Sequence, residues 1–266
     1  MIEQGVTVSG KGVVIVFLHS SLSSSKQWQN LTAKLSENFT CINIDLLGYG
    51  KAPVVDDTEN YNFNVEASRI KNIIQVIAPN EKYHIVGHSC GGAIALKLAV
   101  EEPKNILSLT VFEPVAFHLL AHSSNQYHNR LADKVKRFAE NIVANDNKTG
   151  AKAFIDFWNG EGFYSNLPDK IQAVMAKDIE KVTLDFKGIL HENYHFEALQ
   201  SIQCPSLVLV GKYSQEVSQV LSRAIADSLS IVEFKEIESG HMAPISHPRL
   251  VEPIISLFIK RVNLTI

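Results

Sequence analysis

Short and almost wholly apolar runs alternate along this chain with stretches in which apolar residues recur at helical spacing. The runs Val13–Leu18, Thr40–Asp45, Tyr83–Val86, Ile106–Phe112, Ser206–Val210 and Ile231–Phe234 are too short for core helices. A strand covered by helices on both faces has no polar side to present, so these runs predict strands of a mainly parallel sheet. Helical patterns fill the intervals at about residues 26–36, 64–78, 90–101, 216–228 and 246–261, the alternation that an α/β sheet requires.

One interval breaks the rhythm. From His118 to Gln200 the pattern is helical and amphipathic, with Leu131, Val135, Phe138 and Ile142 on one stripe and Phe154, Phe157 and Trp158 on the next. The expected organisation is an α/β core made of residues 1–117 and 201–266, interrupted by a helical cap over residues 118–200. Phe154, Phe157, Trp158, Phe163 and Tyr164, with Phe117 and Leu120 near the mouth, suit an apolar substrate pocket or the packing of the cap itself. No internal repeat or low-complexity tract interrupts the chain.

The most specific chemical signal follows the third run. Tyr83–Val86 leads into Gly87-His88-Ser89-Cys90-Gly91, and a helix-forming stretch, Ala93–Ala99, comes next. A serine hydroxyl is a poor nucleophile at neutral pH, and a tight strand-to-helix turn lifts it out of the packed chain beside a base. The flanking glycines leave room where a Cβ would collide with neighbouring backbone. Ser89 is therefore the expected nucleophile.

Ser239-Gly-His-Met242 follows the last run and precedes the last helical pattern, which places His241 at the same edge of the sheet. Among ten histidines it alone occupies a loop after the last strand, so it is the expected general base. The first run ends in His19-Ser-Ser-Leu-Ser-Ser-Ser25, small residues that allow a loop to curl over the site and present amides. The Cys90 amide and that of Ser21, or alternatively Ser20, are expected to form an oxyanion hole. His19, Ser20, His88, Phe117 and Trp158 are expected to lie against the substrate.

Gly-His-Ser-Cys-Gly-Gly, Ser-Gly-His-Met and Asp45-Leu-Leu-Gly-Tyr-Gly50 together resemble the α/β-hydrolase superfamily, specifically its cap-bearing serine hydrolases of esterase type. The resemblance spans the whole chain and implies an α/β-hydrolase fold with a helical cap, a catalytic triad and no cofactor or metal. It also implies that the Asp45–Gly50 turn is structural. The superfamily's haloalkane dehalogenases and epoxide hydrolases carry a carboxylate at the nucleophile position, where this chain has Ser89. Ser20 replaces a usual glycine. More consequentially, the Gly-x-x-Asp turn that usually supplies the triad acid reads Gly211-Lys-Tyr-Ser214 here. Two carboxylates remain as candidates, Glu113 after the Ile106–Phe112 strand and Glu216 beyond Ser214, and Glu113 is favoured because an acidic residue at 216 suits a helix start. The expected function is hydrolysis of a small or medium carboxylic ester or related carbonyl compound. The alternatives are a ligand-binding protein or a cofactor-free lyase on the same fold, with weakened triad chemistry.

Composition narrows the partners. The 25 basic and 28 acidic residues, a net charge of −3 and the lack of a long basic run leave no electrostatic footprint for nucleic acid or an anionic membrane. A small-molecule substrate fits better, with the protein a monomer or homodimer. The opening run Met1–Val8 lacks a basic segment followed by an apolar one, which leads to a cytoplasmic expectation. Cys41, Cys90 and Cys204 are odd in number and unrelated in spacing, and read as reduced thiols.

Overall fold

A computed structural model describes residues 3–265; Met1, Ile2 and Ile266 lie outside the described residues. Strands β1 (Val6–Ser9), β2 (Val13–Leu18), β3 (Phe39–Ile44), β4 (Tyr83–His88), β5 (Ile106–Phe112), β6 (Ser206–Gly211) and β7 (Val232–Ile237) form one sheet. Their order is β1-β3-β2-β4-β5-β6-β7, with β1 antiparallel to β3 and every other pairing parallel. The six apolar runs all form strands. β1 was not among them, because Val6-Thr-Val-Ser is a short alternating edge strand, half-buried on one face only. β7 extends through Glu233, Lys235 and Glu236, which an edge strand tolerates because one of its sides meets solvent.

Within β2 the two-residue period divides a continuous apolar run between two cores. Val14, Val16 and Leu18 face the cluster that holds Ile70, Ile74, Ile94 and Leu98, while Ile15 and Phe17 face Trp28, Leu31, Ile255 and Phe258. The helices that cover these faces are α1 (Gln29–Leu35), α2 (Phe63–Ile77) and α3 (Cys90–Glu101), and after the insert α9 (Glu216–Ser228), α10 (Ala243–Ser246) and α11 (Pro248–Asn263). The insert between β5 and β6 consists of α4 (His118–Ala121), α5 (Gln126–Ala144), α6 (Asn147–Asn159), α7 (Asp169–Lys177) and α8 (Ile179–Leu190). Leu131, Val135 and Ile142 are buried on α5, as the stripe requires.

Two buried lysines tie the insert to the sheet unit. Lys97 on α3 meets Glu192, just after α8, at 2.9 Å, and Lys181 on α8 lies 3.7 Å from Glu66 on α2. Among the described residues no helix is long and apolar enough to cross a membrane.

In the order β3-β2-β4-β5 the chain reverses its direction of travel between β2 and β4, and the crevice above such a switch is where open parallel sheets bind ligands. The loops after β2, β4, β5, β6 and β7 all leave from this edge.

Candidate active site

Ser89 occupies the turn between β4 and α3, with φ 54° and ψ −116°. That conformation is uncommon for a residue with a Cβ, and it is held in place by its neighbours. The Ser89 amide donates to Phe112 O at 3.0 Å, and the Gly91 amide donates to His19 O at 3.1 Å. A Cβ on Gly87 would collide with the Gly91 carbonyl, and one on Gly91 would stand 2.5 Å from His19 O. The glycine spacing therefore reflects how closely β2, β4 and α3 approach one another.

His241 Nε2 lies 3.1 Å from Ser89 Oγ, and its Nδ1 lies 2.7 Å from Glu113 Oε2. Both His241 and Glu113 are buried. The Glu113 backbone, φ 42°, is also left-handed, and its amide donates to Leu209 O on the neighbouring strand. Glu113 Oε1 accepts from the Gly211 amide at 2.7 Å and from Ser214 Oγ at 2.5 Å. Ser214, which stands where the acid was expected, is thus a donor to a carboxylate supplied by the adjacent strand end. Glu216 is not in reach: it is exposed at the start of α9, accepts from Tyr127 Oη and lies 3.7 Å from Lys134.

The loop after β2 separates the two oxyanion candidates. The Ser20 amide donates to Gln27 Oε1 at 3.1 Å, whereas those of Ser21 and Cys90 make no hydrogen bond to a protein acceptor among the described residues. The Cys90 amide sits at the first position of a 12-residue helix, whose dipole favours negative charge there. Burial holds the Cys90 thiol well above its ordinary pKa.

Two recesses flank Ser89. The larger, about 380 Å³, is mainly apolar, with Leu22, Phe154, Ile155, Trp158 and Met175 on its walls beside Ser20, Ser21 and His241. The smaller, between Phe117, Val182, Phe186 and Ile189, leaves only about 10 Å³ and has Asp185 on its wall. Trp158 stacks on the imidazole of His241 at a centroid distance of 3.8 Å and 23° between planes. Phe163 also lines the larger recess; Phe157 and Tyr164 do not, and Tyr164 is buried with its hydroxyl on Gln172 O.

Two expected pocket residues lie elsewhere. His19 is wholly buried, with Nδ1 on Ser20 O and Nε2 accepting from the Leu46 amide, so it braces the loop from behind. Burial lowers its pKa to about 4. His88 is also wholly buried and binds His241 O through Nε2 at 2.9 Å. Burial, and then the nearby His241, hold it well below its ordinary pKa, so it stays neutral beside that imidazole. Alternation explains His88: it is the last residue of β4, and its side chain leaves the opposite face from that of its neighbour. Asp45 caps its turn as expected, accepting from the amides of Ser25 and Lys51 at 2.6 and 2.8 Å. Sequence reasoning missed Leu22, Met175, Met242 and Ile245 on the larger recess and Asp185 on the smaller. Leu22 and Met242 lie within segments singled out for their neighbours, while Met175, Ile245 and Asp185 carry no signal, since lone apolar residues and an i,i+4 Lys-Asp pair resemble ordinary helix surface.

Comparison with known proteins identifies the family. The chain is 23% identical to a fluoroacetate dehalogenase from Burkholderia over 88% of its length and 83% of that protein. It is 22% identical to 3-oxoadipate enol-lactonase 1 of Acinetobacter baylyi over 94% of its length and 89% of the relative. An esterase from Exiguobacterium antarcticum superposes with a TM-score of 0.75 at 19% identity, covering 96% of this chain and 94% of the other. The family profile described as alpha/beta hydrolase fold matches residues 13–248, and the chain belongs to that family of hydrolases.

Proposed function

We propose that the protein hydrolyses a carboxylic ester or related carbonyl compound through an acyl-enzyme on Ser89. The observation that carries this reading is the continuous chain from Ser89 Oγ through His241 to Glu113, at 3.1 and 2.7 Å. His241 takes the serine proton as Oγ attacks the carbonyl carbon, then returns it to the departing alkoxide as the tetrahedral species collapses. Water repeats the sequence on the acyl-enzyme and releases the acid. Glu113 holds the imidazole in the tautomer with its proton on Nδ1 and stabilises the imidazolium formed at each attack. The amides of Ser21 and Cys90 receive the developing oxyanion.

In this reading residues 118–200 act as a cap over a core formed by 1–117 and 201–266, and a small molecule is the partner. The unequal recesses shape the substrate. A carbonyl centred on Ser89 extends one arm into a recess too small for more than about one water and the other into the 380 Å³ apolar cleft. One arm is therefore about methyl-sized and the other medium-sized and apolar. The lactone and ester chemistry named for the relatives fits these parts, as does a serine rather than a carboxylate nucleophile. The ligand-binding alternative drew on the absent acid at position 214, and Glu113 makes the contact that position would have made.

The test is turnover of p-nitrophenyl esters from acetyl to octanoyl, and of acetate esters of longer alcohols, by wild type and Ser89→Ala. Serine-dependent turnover, confined in one of the two series to the smallest arm, supports the reading. Ester turnover that survives Ser89→Ala, or a wild type inert to every ester and to a fluorophosphonate, overturns it.

A further inference from the structure

The loop carrying the Ser21 amide is braced from three sides. Gln27 Oε1 receives the Ser20 amide and hydroxyl, and the His19 ring receives the Leu46 amide, so two braces belong to the sheet unit. The third comes from the insert: Ser21 Oγ donates to Asp185 Oδ2, on α8, at 2.5 Å. The next residue, Leu22, has φ 53°, a left-handed conformation that costs a branched residue energy and persists only when surrounding contacts hold it.

Asp185 is itself fixed. It is buried, its Oδ2 also accepts from Tyr49 Oη at 2.6 Å, and its Oδ1 is ion-paired with Lys181. Lys181 Nζ donates to Tyr61 Oη at 3.0 Å and stands 3.7 Å from Glu66 Oε1. The Lys181 ammonium balances the Asp185 carboxylate at shorter range than it meets Glu66. That balance matters because an unpaired carboxylate beside a developing oxyanion would oppose it.

We propose that Asp185 is a positioning residue that holds the Ser21 amide at the oxyanion site, so that the hole is complete only when α8 of the insert is seated. This rests on the acyl-enzyme reading of Ser89. Seating of the insert then controls transition-state stabilisation as well as the shape of the cleft. Ground-state binding is affected little, because the amide is needed most when charge appears on the oxygen.

Ser21→Ala is the decisive variant, since it removes the link while leaving the amide and the Lys181–Asp185 pair in place. The expected result is a kcat lower by about 10- to 100-fold with KM within about threefold, given that losing a whole oxyanion donor costs roughly 10²–10³. Ser21→Thr, which keeps a hydroxyl, restores most of the loss. Asp185→Asn lowers kcat in the same sense, and the double variant Ser21→Ala/Asp185→Asn is no slower than the slower single, as expected for two ends of one interaction. Amide hydrogen exchange of the loop at residues 20–23 quickens in Ser21→Ala, a readout that needs no substrate. An unchanged kcat, a defect confined to KM, or unchanged loop exchange overturns the proposal. A wild type that turns over no ester defeats the acyl-enzyme reading instead, and the exchange measurement still decides whether Asp185 holds the loop.

Discussion

The strand ends of the sheet and the helical insert meet at Ser89, but they are built on different terms. β4, β5 and β6 are buried along nearly their whole length, and each ends in a turn that delivers one group: Ser89, Glu113 and the Gly211 amide. The insert is looser. α7 has no buried residue, and α5 exposes most of its polar face. Positions on adjacent parallel strands are spaced by the hydrogen-bond ladder, which does not yield locally. Positions on amphipathic helices depend on how one face packs. The proposed nucleophile and acid thus sit on buried strand ends, whereas the insert combines the exposed α7 on the wall of the larger recess with the buried α8 that carries Asp185.

The largest test of this division moves the acid. Glu113→Gln keeps the shape but removes the charge opposite His241 Nδ1, and kcat is expected to fall by about 10³- to 10⁴-fold with the fold intact. Glu216→Gln, on the exposed start of α9, is expected to leave kcat within twofold. Steady-state ester kinetics on the two variants checks both expectations, and a reversed order would place the acid on the wrong strand end.

That pair of residues also marks how far the chain could be read without coordinates. Strand runs, the Gly87–Gly91 elbow and the placement of His241 beside it were legible because each rests on local chemistry: continuous apolar burial, glycine at a close approach, a loop after a strand. The contact of Glu113 with His241 was legible only as the favoured of two, because it depends on β5 and β6 being neighbours, with Ser214 turned towards the carboxylate. His19 and His88 were misread as pocket residues because a histidine beside a catalytic motif invites a chemical role, whereas burial makes both of them braces. Asp185 was invisible. Its partners Ser21 and Tyr49 lie 164 and 136 residues away in the chain, and no periodicity carries that information.

Packing offers the next test. Leu96 on α3 is fully buried, and Leu96→Ala is expected to cost about 2–5 kcal/mol of unfolding free energy by lost burial plus a residual cavity. Met175 on α7 is only half-buried on the rim of the larger recess, and Met175→Ala is expected to cost under about 1 kcal/mol while changing the preferred chain length of the ester. Urea denaturation measures the first difference, and an acyl-length series the second. Equal costs would mean that the insert is packed as tightly as the sheet.

Acid separates the regions more gently. Burial lowers the pKa of His118, where the insert begins, from 6.5 to about 3, with His122, Lys97 and His195 adding to the effect and Tyr194 packed against the ring. The unfolded chain therefore binds this proton first, and stability that is complete above about pH 6.5 is lost as pH falls towards 3. His118→Phe keeps an aromatic ring without the proton, and should recover roughly 2 kcal/mol of the stability that wild type loses between pH 6.5 and 4.5. Denaturant midpoints at the two pH values provide the check. Parallel losses in wild type and variant would assign the acid sensitivity to the sheet, where burial also lowers His84 to about 4.

The smallest expected effect lies where the two regions touch. Trp158 comes from α6 of the insert, yet its indole lies flat against the imidazole of His241, which in the proposed mechanism becomes an imidazolium during each attack. A cation over an aromatic face gains about 0.5–1 kcal/mol in a half-exposed setting, so Trp158→Ala should lower kcat by about two- to fivefold and Trp158→Phe by less than twofold. The same ring also lines the larger recess, and the acyl series separates its two roles. A loss of equal size on acetyl and octanoyl esters belongs to the histidine, because both substrates pass through the same imidazolium. A loss that grows with chain length belongs to the pocket wall. The first result would extend the insert's influence to the base itself, and the second would confine it to the substrate and to the loop that Asp185 holds.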